Sequence, residues 1–296
     1  MATIDGEPRQ SRGVGWTERV STRRLLGSIV VVVILGAVAI LFLAPLAWMI
    51  SSSLKPLADV FSPQWIPDPI AWENYPDALR SSPFGVYTRN TLIITVLSTI
   101  GAVLSTSAVA YSFARLNWPG RDFLFGLVLA TMILPSFVTL IPTYILFSRI
   151  GWVNTFLPLI VPAWLGGNAF FVFLLRQFYR GIPMELIESA RLDGAGEVRI
   201  WWQLIMPLSG PALATITIFA FNGAWQDYLG PLIYLHSERL YTLQLGLTTF
   251  SAGGGGIPLW NWMMAASVVV MLPILVIFFI GQRFFLQSVS LTGLKG

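Results

Sequence analysis

Six long intervals without an ionisable side chain dominate the chain: 25–54, 90–114, 123–148, 150–175, 200–226 and 240–282. Each holds the ~20 apolar residues that carry a helix across ~30 Å of hydrocarbon. Helices are therefore predicted near 27–50, 90–111, 123–144, 156–175, 210–232 and 262–280. The runs are continuously apolar, unlike the ~10-residue alternating segments of a membrane β-barrel. The pattern predicts an all-α integral membrane protein with six transmembrane helices over residues 25–285. Residues 1–24 form a polar, basic tail, expected to be disordered, and 286–296 form a second tail.

Composition agrees with this reading. The 296 residues are 55% hydrophobic and 11% charged, with mean hydropathy +0.71, outside the usual range of a soluble domain. Cysteine is absent and His236 is the single histidine, so disulfides, thiolate chemistry and a His/Cys metal site are excluded, and no cofactor is expected. The net charge of +4 is not gathered into a basic patch interleaved with aromatics, which argues against nucleic acid. It follows topology instead. With six spans, both tails and the segments around Arg115–Arg121 and Arg176–Arg199 share one side and hold all but five of the 18 Lys and Arg residues. The five are Lys55, Arg80, Arg89, Arg149 and Arg239, so both termini are predicted to be cytoplasmic and the protein multi-pass in the cell membrane. The run 25–54 far exceeds the ~7–15 residues of a signal-peptide core, which favours an uncleaved first span. The outer loop 51–88, with six prolines and with Trp65 and Trp72 at belt height, is expected to form an ordered cap.

The longest cytoplasmic loop, 176–209, mixes charges with apolar residues at helical spacing. Pro183 suits a first helical turn, Glu185 and Glu188 lie where the helix dipole favours acids, and Asp193-Gly194 reads as a stop. A second helix is predicted from Glu197 with the stripe Ile200, Trp201, Leu204 and Ile205, broken at Pro207.

Here the chain resembles a known family. Glu188-Ser189-Ala190, Gly194, and Leu204 with Met206-Pro207 are similar to the EAA loop, E-A-A-x3-G-x9-I-x-L-P, of permease subunits of binding-protein-dependent ABC importers. Ser189, Leu204 and Met206 are mild departures. ELIESARLDG, PLSGPALA, WQDYL, YSFAR and the C-terminal LTGLKG resemble the carbohydrate-uptake branch, so the likeness covers about 25–296. The resemblance implies a MetI-like permease fold in which the loop is a coupling helix seated on a cytoplasmic ATP-binding cassette ATPase. Glu185, Glu188, Ser189, Ala190, Asp193, Gly194 and Pro207 are its coupling residues. It also implies a second, homologous permease subunit, an extracytoplasmic solute-binding protein and a sugar or sugar-derived substrate moved inward by alternating access. The glycine loop Gly253, Gly254, Gly255 and Gly256 resembles the segment that meets the binding protein, and equally supplies simple flexibility. No phosphate-cradling G-x-x-x-x-G-K-[ST] motif is present, so ATP hydrolysis is expected on a partner and the chain is not expected to be an enzyme.

Polar residues inside the spans are the remaining signal. Asp227, with Asn222, Gln226 and Tyr228, makes the fifth predicted helix the most polar; Asn222, Gln226 and Trp225 are expected on one helical face, and aromatic and amide groups suit a sugar. Asn222, Trp225, Gln226 and Asp227, and Asn168 after Gly166-Gly167, are candidates for a translocation path. Helix–helix hydrogen bonding is the competing role for the fifth-helix group, and a satisfied helix break for Asn168. An ATP-independent secondary transporter or channel is the alternative class. It calls for several intramembrane charges and inverted symmetry, of which the sequence offers only Asp227.

Overall fold

The computed structural model describes residues 22–252 and 257–293. Residues through Met49 make up one compact unit and those from Ile50 a second. Among the described residues α1 (Thr22–Ser53), α2 (Asn74–Ser81), α3 (Phe84–Arg115), α4 (Arg121–Thr131), α5 (Ser136–Arg149), α6 (Leu157–Trp164) and α7 (Ala169–Arg180) come first. Then follow α8 (Met184–Leu192), α9 (Glu197–Ile200), a π-turn (Trp201–Ile205), α10 (Met206–Leu208), α11 (Gly210–Trp225), α12 (Leu229–Tyr234), α13 (Leu243–Ala252) and α14 (Trp260–Gly293).

Among the described residues, four stretches are long and apolar enough to cross a membrane: Gly27–Ser53, Phe84–Arg115, Leu157–Arg180 and Trp260–Gln282. A fifth arises if Glu197–Leu208 and Gly210–Trp225, bent by 85°, count as one. Three of the six expected spans are built differently from the sequence reading. The third is divided into α4 and α5, because Pro135 sits extended (ψ 133°) at the start of α5 and disfavours a helical Leu134 before it. The fifth stops at Trp225, where Gln226, Asp227 and Tyr228 interrupt it before α12. The fourth is interrupted between α6 and α7, where Gly166 (φ 103°) and Gly167 (φ 60°) turn the chain.

In the second unit α3 is the central helix, packed against α6, α7, α11 and α13. Near its start, Tyr87 joins Trp225, Leu243, Phe250 and Ala265 in one apolar cluster. Near its end, Ala110 and Tyr111 join Leu175, Tyr179, Ile187, Ile200, Ile205 and Ile216 in another. On the opposite side from these contacts Leu92, Val96 and Ile100 are exposed, as they would be toward lipid.

The 51–83 segment is held by polar contacts rather than by packing alone. Asn74 donates from Nδ2 to the carbonyls of Ser53 (3.0 Å) and Lys55 (2.8 Å), and its Oδ1 accepts from Asn261 on α14 (2.7 Å). Lys55 is almost wholly buried and donates to the Ser62 carbonyl at 2.9 Å. Burial pushes its ammonium below the usual lysine range, with Asp59 opposing the shift. Trp65 and Trp72 remain exposed.

Candidate coupling loop and translocation face

The loop after α7 folds as two short helices. Pro183 is extended immediately before α8 and Glu185 occupies its first turn, where an acid is favoured by the helix dipole. The end of α8 is a Schellman stop: the Ala195 amide donates to the Ala190 carbonyl (3.0 Å) and the Gly194 amide to the Arg191 carbonyl (2.9 Å). This geometry demands a left-handed residue, and Gly194 supplies it at φ +80°. The position ahead of its missing side chain is open space, so the backbone angle alone requires glycine there.

One face of the loop is anchored. Ile187 of α8, Ile200 of α9 and Ile205 of the π-turn are buried against Leu175, Tyr179 and Ile216, and Ala190 and Ala195 pack at the rim of that cluster. Each buried isoleucine contributes ~1.5–3 kcal/mol relative to exposure in water. The other face is open: Glu185, Glu188, Ser189 and Asp193 are exposed together with Leu186, Leu192, Val198 and Trp202. A groove of about 560 Å³ runs beside them, lined by Gly196, Glu197, Val198, Arg199, Trp202 and Gln203. Ser189 returns its hydroxyl to the Glu185 carbonyl at 2.8 Å. Arg191 turns to Glu197 (2.9 Å) rather than to Glu188 three residues before it.

Pro207 does not end the second helix as the sequence reading expects. The chain widens into the π-turn, with the Met206 amide donating to the Trp201 carbonyl five residues back. That extra residue makes room for a proline ring which would clash in a regular helix. The break comes at Ser209, whose hydroxyl donates to the Ile205 carbonyl at 2.6 Å, and α11 leaves at 85°.

The residues expected on the translocation face separate. Asn222 and Gln226 stay together, with Gln226 Nε2 donating to Asn222 Oδ1 at 2.6 Å. Both line a cleft of about 390 Å³ between α11 and α14, walled by Phe219, Phe221, Ile274 and Phe278. Trp225 turns away: it is 2% exposed and donates from Nε1 to the Val270 carbonyl at 3.0 Å. Asp227 lies in the break, and its Oδ1 accepts the Gly230 amide at 3.0 Å, pairing one of the free donors at the first turn of α12. Asn168 caps α7 by accepting the Phe170 amide at 2.8 Å. It also borders a second cleft, about 360 Å³, between α3, α6, α7 and α11 with Ser98, Ala102, Gly167, Phe219 and Gly223. The two clefts flank α11 and share Phe219. Gly253, Gly254, Gly255 and Gly256 lie outside the described residues.

The polar contacts of the loop end are not among those the sequence reading expects. Tyr111 donates to Glu197 Oε2 at 2.6 Å, and Trp201 Nε1 donates to Ser107 Oγ at 2.9 Å. The Ser107 and Tyr179 hydroxyls are 2.7 Å apart. Arg115 donates to the carbonyls of Tyr179 and Ile182, tying the end of α3 to the chain at and just after the end of α7. Arg176 stacks on Phe125 at 3.9 Å and reaches Asp122 at 3.7 Å, tying α7 to α4. The available signal was slight: Ser107 and Tyr111 stand four apart in an apolar run, hence on one helix face.

Comparison with known proteins bears on this arrangement. Residues 101–291 match the family model described as binding-protein-dependent transport system inner membrane component. The chain is 33% identical to an arabinooligosaccharides transport system permease protein of Halalkalibacterium halodurans, over 70% of this chain and 73% of the relative. It is 32% identical to an osmoprotective compounds uptake permease protein of Synechocystis, over 87% of this chain and 89% of the relative. A chain in the crystal structure of a bacterial ABC transporter involved in the import of the acidic polysaccharide alginate shares its fold. That match has a TM-score of 0.78 at 24% identity and covers 94% of this chain and 100% of the other. The chain therefore belongs to the inner-membrane permease family of binding-protein-dependent ABC transport systems, among its carbohydrate-uptake members.

Proposed function

We propose that this protein is one permease subunit of an ATP-driven importer that carries a sugar or sugar-derived solute into the cytoplasm by alternating access. The observation that carries the reading is the loop at 176–209. Its α8 ends in a Schellman stop at Gly194 and is anchored through Ile187, while Glu185, Glu188, Leu186 and Leu192 are exposed. An exposed apolar patch ringed by acids, held rigidly from behind, suits a protein partner. That partner is a separate ATPase subunit, which hydrolyses the ATP. Four long apolar stretches, a fifth from the bent region at Ser209 and the divided α4–α5 pair taken as one more make six spans, and with that count the distribution of Lys and Arg supports a cytoplasmic loop and cytoplasmic termini.

The solute path runs along α11. Asn222 and Gln226 offer amides beside Phe219 and Phe221, a pairing suited to sugar hydroxyls and ring faces. That cleft is open at one side, so a second, homologous permease completes the pathway and an extracytoplasmic solute-binding protein delivers to it. Permease proteins for arabinooligosaccharides and for osmoprotective compounds are among the relatives, which supports a carbohydrate or related small polar solute.

The test is co-isolation. The chain purified gently from its native membrane is expected to bring an ATPase and a second permease with it. Gly194→Val, which places a β-branched residue at φ +80°, costs at least ~1–2 kcal/mol of backbone strain. It is expected to lose the ATPase and solute uptake while still inserting. An isolated chain that carries out solute flux without an ATPase would overturn the reading in favour of an ATP-independent transporter.

A further inference from the structure

Docking alone does not move a membrane span, and the loop end of the molecule contains a connection that could. Ser107 and Tyr111 are four residues apart on α3, and Glu197 and Trp201 are four apart at the start of the second loop helix. Each pair therefore presents two side chains on one helix face. They meet rung to rung: Tyr111 with Glu197 at 2.6 Å and Ser107 with Trp201 at 2.9 Å. The inner rung is closed. Ser107 Oγ accepts the Trp201 N–H, shares a hydrogen bond with the Tyr179 hydroxyl at 2.7 Å and faces Met206 Sδ at 2.8 Å. The outer rung is a junction. Glu197 accepts Tyr111 of α3 on Oε2 and Arg191 of α8 on Oε1 (2.9 Å), so three helices converge on one carboxylate.

We propose that Glu197, through Tyr111, is the positioning residue that transfers movement of the docked helix α8 to the central span α3. This rests on the reading of the loop as the ATPase dock and names how that dock is coupled to the path. The geometry supports transmission rather than simple stability. The Arg191–Glu197 pair is roughly 40% exposed on both sides, and exposed ion pairs add little to folding. Two hydrogen-bonded rungs at helical spacing, however, prevent α9 from sliding along or rolling over α3. The π-turn begins at Trp201, so the widening that accommodates Pro207 starts only at the inner rung, and the stretch between the two rungs keeps regular helical spacing. Displacement of α8 then reaches Ser107, two turns along α3 from its end at Arg115 and next to Thr106, whose hydroxyl lies where a side chain at Gly167 would have to go.

The experiment uses the whole transporter, reconstituted with its ATPase, second permease and binding protein, and compares Glu197→Ala, Tyr111→Phe and Glu197→Gln with the wild type. ATPase stoichiometry, melting temperature and ATP consumed per solute imported are measured together. Glu197→Ala and Tyr111→Phe are expected to keep ATPase stoichiometry but to raise ATP consumed per solute by about five-fold or more. Glu197→Gln retains an acceptor oxygen for Tyr111 and is expected to stay within about two-fold of wild type. An unchanged ratio in both Glu197→Ala and Tyr111→Phe overturns the proposal and leaves the docking reading intact. Loss of the ATPase from these variants also overturns it, because Glu197 would then belong to the dock itself. A wild-type complex that holds no ATPase overturns the docking reading and this one with it.

Discussion

The two ends of α3 differ from its middle. At its start, Asn90 donates to the carbonyls of Arg239 (2.9 Å) and Tyr241 (3.0 Å), Thr91 Oγ1 accepts the Leu243 amide (2.8 Å), and Tyr87 reaches Glu238 (3.0 Å). At its end, Ser107, Tyr111 and Arg115 are all engaged with α7 or the loop. Between them the buried hydroxyls of Thr95, Thr99 and Thr106 have no hydrogen-bond partner in the structure, and Ser98 and Ala102 border a cleft. A buried polar group without a partner costs roughly 1–3 kcal/mol. The ends are thus tied to loops and to α7 by several side chains, whereas the middle bonds to α6 through Ser105 (2.8 Å) and the Leu97 carbonyl (3.1 Å) but leaves these three hydroxyls unpaired among the described residues. In a transporter that opens to alternate sides, such a middle is where helices can change neighbours at small cost, while fixed ends carry the motion in from the loops.

Substitutions can break this contrast, and the largest effect is expected at the loop end. Arg115→Ala removes a charged donor from two carbonyls and should destabilise the purified protein by ~2–4 kcal/mol, seen as a clear drop in melting temperature. A melting temperature equal to wild type would mean that this end is not fixed. Asn90→Ala at the other end should cost ~1–3 kcal/mol by the same measurement, since the side chain is fully buried and two carbonyls lose their donor. For the solute path, Asn222→Ala and Gln226→Ala should leave the melting temperature unchanged and shift the apparent solute affinity of uptake by about ten-fold, the loss of one or two hydrogen bonds. Unaltered uptake kinetics in both would leave these amides as a local helix-end contact. The smallest effect belongs to the middle: Thr106→Val replaces a hydroxyl that has no partner with a methyl of the same shape. It should be neutral or stabilising by up to ~1 kcal/mol. A marked loss of stability there would show that the middle is as tightly bonded as the ends.

The parts of this architecture that follow from local pattern were readable from the chain. Four of the six apolar runs coincide with helices long enough to cross a membrane, and the Pro183, Asp193-Gly194 and Glu197 signals give the two loop helices to within a residue or two. Those features depend on hydropathy, on the missing amide of proline and on the left-handed freedom of glycine, all properties of a few neighbouring residues. The breaks within spans were less visible. Pro135 could bend or stop a helix, and only the surrounding packing decides that it divides α4 from α5. Likewise Pro207 could end its helix or be absorbed, and the π-turn absorbs it. The translocation face was legible only in part. Trp225, Gln226 and Asp227 are adjacent in sequence, yet they face the core, a cleft and a helix start, because the helix ends between them. The Glu197–Tyr111 contact joins residues 86 apart, and nothing local announces it.

The central claim, that the 176–209 loop docks an ATPase, can be tested by a single cross-linking measurement, which the chain favours because it contains no cysteine. Glu188→Cys puts one thiol on the exposed face of α8, and Trp72→Cys puts one on the exposed surface of the 51–83 segment. In intact membranes treated with a short thiol-to-amine cross-linker, position 188 is expected to join the ATPase subunit and position 72 is not. A cross-link to the ATPase from position 72, with none from position 188, would contradict the account.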